Sequence, residues 1–171
     1  VAERPSAIAV DSAARVLSFD RGDGTVGIYD LEKKQLLRTI GSQEFVPQRF
    51  AMDPGGRQLF VADGVGNVAE FSITSTTGLD AFERRRRRSQ ASTASRFAHL
   101  RPVTAITPVG YGGGYATGDD RGEIKVWGPA QAVGNAVKID EGEIAELERF
   151  GGGKFLFGAI RGSGKGKIVF W

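Results

Sequence analysis

ATGDDRGEIKVW, residues 116–127 of this 171-residue chain, contains two short strand patterns and a turn between them. Small residues open the segment, Gly122 lies in the turn, and alternating apolar residues lead to Trp127. Glycine is favoured at such a turn because it adopts positive φ without steric cost. Alternation with a period of two is typical of a half-buried strand. The segment therefore predicts two antiparallel strands joined by a tight turn.

Three other segments repeat this plan along the chain. Their turn glycines are spaced by 42, 56 and 44 residues: Gly24, Gly66, Gly122 and Gly166. An aromatic residue lies five positions beyond each glycine and keeps the same spacing: Tyr29, Phe71, Trp127 and Trp171. A four-stranded propeller blade repeats every ~40–45 residues. The middle interval is longer, and its excess coincides with residues 84–97, which predicts an insertion.

Two of the four units resemble repeats of the WD-repeat β-propeller family. GDGTVGIYDL at 22–31 is similar to the family's Asp-Gly turn and following strand. AHLRPVTAI at 98–106, followed by ATGDDRGEIKVWG, resembles its Gly-His opening and Trp-Asp ending. The resemblance implies an all-β propeller of four-stranded antiparallel blades, about four of them, the last lacking its outer strand. We expect blades at 6–40, 45–82, 99–140 and 143–171, with a basic low-complexity insertion at 83–97.

The two ends of the chain bear on how the propeller closes. Trp171 falls at the end of the third strand of its blade, and Pro5 among the first residues cannot donate to a strand ladder. An open ring exposes strand edges, which propellers avoid by pairing strands from both ends. We therefore expect this chain to be part of a longer propeller of about six to eight blades. A compact four-bladed ring and closure by a partner are the alternatives.

Composition excludes several classes of function. Cysteine is absent and His99 is the single histidine, which excludes a disulfide framework, thiolate chemistry and a histidine-rich zinc site. No apolar run approaches the ~18 residues that a membrane span requires. We expect no cofactor and no membrane partner, and an intracellular location, either cytoplasmic or nuclear and nucleolar.

Blades of the WD-repeat family are often held together by a hydrogen-bonded set of His, Ser or Thr, Asp and Trp. The resemblance assigns this structural role to His99, Thr117 and Trp127 in the third unit, and to Asp23 in the first. In the third unit Arg121 occupies the place where Asp is expected, so Asp119 or Asp120 is the substitute. No histidine precedes the first unit, so neither unit contains the full set.

Catalytic interpretations of the same residues are weaker. His99, Thr117 and Asp119 or Asp120 have the residue types of a nucleophile, base and acid set. Adjacent carboxylates on one turn point in different directions, however, so turn chemistry explains the aspartates better than an acid/base pair or a metal site. RGSGKGK at 161–167 has the glycines of a phosphate cradle, but the order of a P-loop is absent and a strand follows. We predict no enzyme and no small-molecule substrate.

The family resemblance places partner binding on the rim where the second strand of each blade turns into the third, together with the segments that enter each blade. The exposed candidates on this rim are charged: Arg21, Arg101, Asp120, Arg121, Arg161 and Lys165. These charges suit a polar or acidic partner. The first functional hypothesis is a non-catalytic scaffold for protein–protein interactions within a larger complex.

An arginine run supports a second hypothesis. The formal net charge of +3 depends on five consecutive residues: Arg84, Arg85, Arg86, Arg87 and Arg88. Without them 18 Lys and Arg residues face 20 Asp and Glu residues, so the basic character is local. The run is open to three interpretations: a solvated disordered insertion, a nuclear import signal, or a contact to RNA phosphates. Ser89 directly after it resembles a kinase site. The second hypothesis is thus a propeller associated with RNA or ribonucleoprotein, in ribosome assembly or RNA processing.

Overall fold

The structure is a computed structural model that describes residues 7–41, 46–73, 94–109, 114–128, 133–139, 142–150, 155–162 and 166–170. Within these ranges it contains fifteen strands and no helix. Consequently, none of the described segments is a helix with the length and apolar character needed to cross a bilayer.

The strands form four consecutive antiparallel sheets in which neighbours in sequence are neighbours in space. The first sheet contains β1 (Ile8–Val10), β2 (Val16–Asp20), β3 (Thr25–Asp30) and β4 (Gln35–Gly41). The second contains β5 (Pro47–Met52), β6 (Gln58–Asp63), β7 (Asn67–Ser72) and β8 (Ala94–Phe97). The third contains β9 (Val103–Val109), β10 (Gly114–Asp119), β11 (Glu123–Trp127) and β12 (Val133–Lys138). The fourth contains β13 (Glu143–Phe150), β14 (Phe155–Arg161) and β15 (Gly166–Phe170).

The sheets are stacked in sequence order through apolar cores. The first strand of each sheet contacts the first strand of the next, as β1 does with β5, β5 with β9 and β9 with β13. Alternation along each strand provides one apolar face for the preceding sheet and one for the following sheet. This arrangement, with its short strands and tight turns, is that of propeller blades set side by side.

Three buried clusters hold the four sheets together, each formed by facing strands of two neighbouring sheets. The cluster between the first and second sheets contains Val26, Ile28, Phe50, Met52, Leu59, Val61 and Ile73. The cluster between the second and third contains Ala51, Phe60, Ala62, Val68, Ala98, Val103, Ile106, Tyr115 and Trp127. The cluster between the third and fourth contains Ala105, Ala116, Ile124, Ile144, Leu147, Leu156 and Ile160.

The row of sheets is open in the part of the chain that the structure describes. No apolar cluster joins the fourth sheet to the first there. The outer face of the first sheet leaves Ile8, Val10 and Leu36 exposed, and that of the fourth leaves Phe150 and Ile168 exposed. The all-β class and the four-stranded antiparallel sheets confirm the predicted fold, and a fourth sheet of three strands agrees with the expected missing outer strand.

The second sheet differs from the sequence analysis at its outer strand. β8 (Ala94–Phe97) pairs with β7 and completes the sheet, although the predicted blade ends at 82 and the predicted insertion covers 83–97. The Ser/Thr/Ala composition of this region does not predict a strand. An edge strand can nevertheless form there, because it depends on backbone pairing more than on an apolar face. The strand that completes the second sheet therefore lies far along the chain from its partner.

Candidate functional site

One edge of the row of sheets is a rim formed by the turns between second and third strands and by the segments that enter each sheet. Pairing of Pro47 with Asp63 places the segment entering the second sheet beside its β6–β7 turn. Pairing of Val103 with Asp119 does the same at the β10–β11 turn of the third sheet. Turns and entry segments therefore form one continuous surface around the second and third sheets.

Buried aspartates fix the conformation of these turns. The Asp63 Oδ1 accepts hydrogen bonds from the backbone N–H groups of Val65 (3.0 Å) and Asn67 (2.8 Å). Asp119 Oδ1 accepts equivalent bonds from Arg121 (2.9 Å) and Glu123 (2.8 Å). Both carboxylates are buried, so their negative charge faces the backbone N–H groups of the turn and not the solvent. Because each turn is held in this way, the side chains at its tip are presented in a fixed position.

The hydrogen bonds of Asp119 are the turn chemistry expected of it, whereas the equivalent role of Asp63 is not among the predictions, although the chain contains a signal for it. The last residue of the second strand is an aspartate in three sheets: Asp20, Asp63 and Asp119. In the fourth sheet that position is Arg161. A short acceptor at a strand end is typical of a turn in which a side chain satisfies free backbone donors.

A buried hydrogen-bond network lies directly beneath the rim in the third sheet. Thr117 Oγ1 is 2.7 Å from His99 Nε2 and accepts a 2.8 Å hydrogen bond from Trp127 Nε1. On the other side of the ring, His99 Nδ1 lies 3.4 Å from Asp119 Oδ2 and 3.2 Å from Glu123 Oε2. The structure thus brings His99, Thr117 and Trp127 together, with the carboxylates of Glu123 and Asp119 both beside His99 Nδ1.

The pattern of donors assigns the proton on the imidazole. Thr117 Oγ1 accepts from the indole, so its own hydrogen is directed at His99 Nε2, which acts as the acceptor. The proton of the neutral ring is then on Nδ1, where it faces Asp119 and Glu123. Burial lowers the pKa of His99 from its usual 6.5, and the attraction of Asp119 opposes this effect without cancelling it.

This network lacks the access that catalysis or ligand binding requires. Thr117 is 0% exposed and His99 is 1% exposed, so a substrate cannot reach the hydroxyl. Three groups have the ligand types of a metal site, namely His99, Asp119 and Glu123. The Lys125 ammonium lies 3.1 Å from Glu123 Oε2 and supplies the positive charge there. The arrangement is therefore suited to holding the third sheet together.

The β6–β7 turn and the segment entering the third sheet are locked to each other. The Gly66 carbonyl accepts hydrogen bonds from the backbone N–H groups of Ala98 (2.8 Å) and His99 (3.1 Å). Gly66 has φ of 101°, and a Cβ on it would lie 2.1 Å from the His99 carbonyl oxygen. Only glycine meets both requirements, so the second and third sheets share one rigid stretch of rim.

Arg101 and Arg121 are exposed on this shared stretch. Neither guanidinium forms an ion pair with any residue in the described ranges. Asp120 beside them is half-buried. Pairing of Asp119 with Val103 places the turn that contains Asp120 and Arg121 beside the entry segment that contains Arg101. The two fully exposed charges on this stretch are positive.

The other predicted residues are more dispersed. Arg21 lies on the first sheet, where its Nη1 is 3.1 Å from Thr39 Oγ1 and 3.9 Å from Asp23 Oδ2. Arg161 lies on the fourth sheet, where its Nη1 is 3.5 Å from Glu143 Oε2. Lys165, Ser89 and the run from Arg84 to Arg88 lie outside the described residues.

Asp23 has a local role. Its exposed carboxylate accepts a hydrogen bond from the Thr25 hydroxyl and a 3.0 Å bond from the Thr25 backbone N–H. The hydroxyl bond is the main reason that the pKa of Asp23 lies below its ordinary value. Asp23 therefore stabilises its own turn and takes no part in a buried network.

Three exposed apolar residues on the rim escaped the sequence analysis. Val46 precedes β5, Val65 is at the tip of the β6–β7 turn, and Leu100 is in the segment that precedes β9. They are 59%, 66% and 86% exposed. Single apolar residues in loops give no sequence signal, since their proximity follows from the stacking of two sheets.

Comparison with known proteins locates the fold among propellers. No family model matches the sequence, and no curated protein matches it. Among solved structures, a chain of the mitotic checkpoint complex is similar with a TM-score of 0.75 and 16% identity, over 96% of this chain and 47% of that chain. The RRP9 WD40 repeats are similar with a TM-score of 0.72 and 12% identity, over 96% and 47%. Kuenenia stuttgartiensis hydrazine synthase is similar with a TM-score of 0.76 and 14% identity, over 97% and 45%.

These structural similarities establish the fold. Because the sequence identities are low, the similarities give no information about function. The chain has the fold of β-propeller blades and spans slightly less than half the length of each of these three solved chains. The open row of four sheets agrees with that length.

Proposed function

We propose that this chain is a non-catalytic WD-repeat scaffold that binds protein partners on its rim. The observation that carries this proposal is the contrast between two sets of polar groups. Asp63, Asp119 and the His99 network are buried and hold the turns, whereas Arg101 and Arg121 are exposed and form no ion pair with another described residue. A rigid frame that presents free side chains is suited to recognition.

Absence of an accessible reactive set supports the non-catalytic part of the proposal. Among the described residues, the arrangement most similar to a catalytic set is Thr117, His99 and Asp119, and all three are buried. Membership of a larger complex is consistent with the likeness to a chain of the mitotic checkpoint complex, which is itself a multiprotein assembly. The proposed partners are proteins with polar or acidic surfaces, because the free charge on the rim is positive.

Charge reversal on the rim tests the scaffold proposal. The tagged chain and its Arg101→Glu/Arg121→Glu variant would be used to capture proteins from a cell extract, with quantitative mass spectrometry as the readout. We expect the variant to lose specific partners and to keep the thermal unfolding temperature of the parent chain, since both side chains are exposed. Arg57→Glu is the matched control, because Arg57 is exposed in the β5–β6 turn at the opposite edge of the sheets. The proposal fails if the double variant captures the same proteins as the parent.

An RNA- or ribonucleoprotein-associated function is the second candidate, and the arginine run favours it. Five consecutive cations between β7 and β8 can each neutralise a phosphate. Replacing Arg84 to Arg88 by alanine is expected to weaken binding to a single-stranded RNA probe. The same change should reduce the slope of log affinity against log salt by about 0.7 per arginine in contact. An unchanged slope would exclude this function for the run.

Nuclear import is a further proposal for the same residues, and cytoplasmic retention of the alanine variant would test it.

A further inference from the structure

Apart from Val137 on β12, the exposed large apolar side chains in the described ranges fall into three groups. Ile8, Val10 and Leu36 lie on the outer face of the first sheet, while Phe150 and Ile168 lie on the outer face of the fourth. A separate rim group lies away from those faces: Val46, Val65 and Leu100. The positions of the first two groups follow from the open ends of the row, whereas the rim group lies over sheets whose cores are already covered and calls for its own explanation.

Backbone contacts place the members of the rim group next to one another. Val46 precedes Pro47, which pairs with Asp63, so Val46 lies beside the turn that contains Val65. The same turn is bonded to the next entry segment through the Gly66 carbonyl, which accepts from Ala98 and His99. Leu100 follows directly. The order across the rim is therefore Val46, Val65 and Leu100.

Positive charge borders this apolar group on the side of the third sheet. Arg101 is adjacent to Leu100 in the chain, and Arg121 is at the tip of the β10–β11 turn against which that entry segment runs. Asp63 and Asp119 point inward and accept backbone hydrogen bonds. Asp120 beside Arg121 is half-buried, and Glu123 pairs with Lys125, so the fully exposed charges of this turn and entry segment are the two arginines. The surface thus has an apolar centre with a cationic border.

We propose that this surface binds a short peptide segment of a protein partner, with an apolar anchor residue flanked by aspartate or glutamate. The inference rests on the scaffold function proposed above and specifies the chemistry of its partner. The apolar anchor would cover Val65 and Leu100, and the acidic residues would pair with Arg101 and Arg121. Because Gly66, Asp63 and Asp119 hold the turns, the surface is preorganised and loses little entropy on binding.

Selection from a displayed library of random peptides tests the proposal on the 171-residue chain. The enriched peptides are expected to combine an aliphatic or aromatic residue with Asp or Glu. An enriched peptide, synthesised with a fluorescent label, would then be titrated by anisotropy. We expect Leu100→Ser and Val65→Ser each to weaken its binding about tenfold or more, as is typical of an apolar anchor at the centre of an interface. Arg101→Glu and Arg121→Glu are expected to weaken it and to reduce its salt dependence.

Two control variants make the result specific. Phe150→Ser removes an apolar side chain of similar exposure, 68%, at the opposite edge of the fourth sheet. Arg57→Glu reverses a charge at the opposite edge of the second. Both are expected to bind the peptide with unchanged affinity. Circular dichroism and thermal unfolding would show that the rim variants keep their fold.

Several outcomes would overturn the proposal. These are failure to enrich any peptide, enrichment of peptides without acidic or without apolar residues, and an equal loss of binding in the control variants. Stronger binding of a single-stranded RNA probe that requires Arg101 and Arg121 but tolerates Leu100→Ser would also overturn it. If peptide selection fails while Arg101→Glu/Arg121→Glu still loses captured partners, the scaffold function stands and only this peptide chemistry is wrong.

Discussion

Thr117 joins two aromatic side chains whose polar atoms would otherwise be buried without partners. Its hydroxyl oxygen is 2.8 Å from Trp127 Nε1 and 2.7 Å from His99 Nε2. Trp127 also stacks on Tyr115 with ring centroids 6.0 Å apart, so the same indole belongs to the apolar core between the second and third sheets. One hydroxyl therefore connects the rim network to that core.

Replacement of this hydroxyl by a methyl group is predicted to destabilise the chain. Thr117→Val keeps the shape of the side chain but leaves two buried groups unpaired, which should lower the free energy of unfolding by about 2–3 kcal/mol. Urea unfolding followed by tryptophan fluorescence would measure the change. Thr39→Val is the control, because Thr39 is exposed and is expected to change stability by less than about 0.5 kcal/mol. Equal stability of the two variants would contradict a structural role for Thr117.

The lowered pKa of His99 makes stability depend on pH. The folded state keeps the buried imidazole neutral, whereas the unfolded chain takes up a proton as the pH falls below 6.5. The stability that His99 contributes is therefore complete above pH 6.5 and is lost as the pH falls from there through the lower folded-state pKa. Burial is the main cause of the lowered pKa of His99; Asp119 and Glu123 oppose it by attracting the proton, and Lys125 adds to it by repelling the proton.

Comparison of the parent chain with His99→Gln isolates this effect. We predict that the stability difference between them shifts towards the variant as the pH falls below 6.5, with a slope of at most about 1.4 kcal/mol per pH unit for one proton. Denaturant titrations at a series of pH values would measure it. A difference that stays constant with pH would mean that the folded and unfolded pKa values are equal.

At the scale of strands and sheets, two glycines show how closely the elements approach. Gly118 lies in β10, where an added Cβ would be 2.4 Å from Ile144 Cγ2 of the fourth sheet. Gly27 lies in β3, where an added Cβ would be 2.5 Å from Phe19 Cζ of the same sheet. Ile144 is fully buried between two sheets, whereas the Phe19 ring lies on the outer face of the first sheet. The two added Cβ atoms would therefore make similarly short contacts, but Ile144 is less able to move away than the Phe19 ring.

Alanine at these two positions is predicted to have different costs. Gly118→Ala should destabilise the chain by about 1–3 kcal/mol, because the third and fourth sheets must separate. Gly27→Ala should destabilise the chain less, since the Phe19 ring can rotate towards solvent. Alanine also reduces the conformational entropy of the unfolded chain, which favours the folded state. Chemical unfolding of both variants would check this. An equal or larger cost at Gly27 would show that the outer face of the first sheet is covered.

The element pattern was largely predictable from the sequence, and its exceptions have physical causes. Strands that alternate between apolar and polar residues, such as β3 and β11, are visible because each has a buried face. β8 (Ala94–Phe97) is an edge strand in a polar region, so its composition does not reveal it. The sequence shows that aspartates lie at the turns. Which backbone N–H groups they bond to could not be predicted, since these bonds depend on the turn conformation that the aspartates help to create.

At the scale of the molecule, the described residues cover the two middle sheets on both faces and the two outer sheets on one. Local opening requires less apolar surface to be exposed when one face is already free. We therefore predict that backbone amides of β6 and β10 exchange hydrogen more slowly than those of β3 and β14. Hydrogen–deuterium exchange with mass spectrometry would measure the difference. Protection that is uniform, or greater in the outer sheets, would show that their outer faces are covered in solution.

The sequence by itself determined the fold class and the repeat. Spacings of 42, 56 and 44 residues, with a glycine turn and an aromatic residue in each unit, are typical of four-stranded blades, and the family resemblance implies the same antiparallel sheets. Strand alternation and turn glycines depend on residues that are close together in the chain, so both can be recognised from the sequence. Roles assigned through the family resemblance, such as those of Thr117 and His99, stay predictions until the variants above are measured.

Only the tertiary structure decided which apolar side chains lie together on the rim. Val46, Val65 and Leu100 come from two sheets and are separated by tens of residues in the chain. They lie side by side because Pro47 pairs with Asp63 and the Gly66 carbonyl bonds to the next entry segment. Likewise, neither Arg101 nor Arg121 forms an ion pair within the described part of the chain, where the neighbouring Asp63 and Asp119 are buried and accept backbone hydrogen bonds. Proximity and burial depend on packing between sheets, and no local pattern in the sequence contains them.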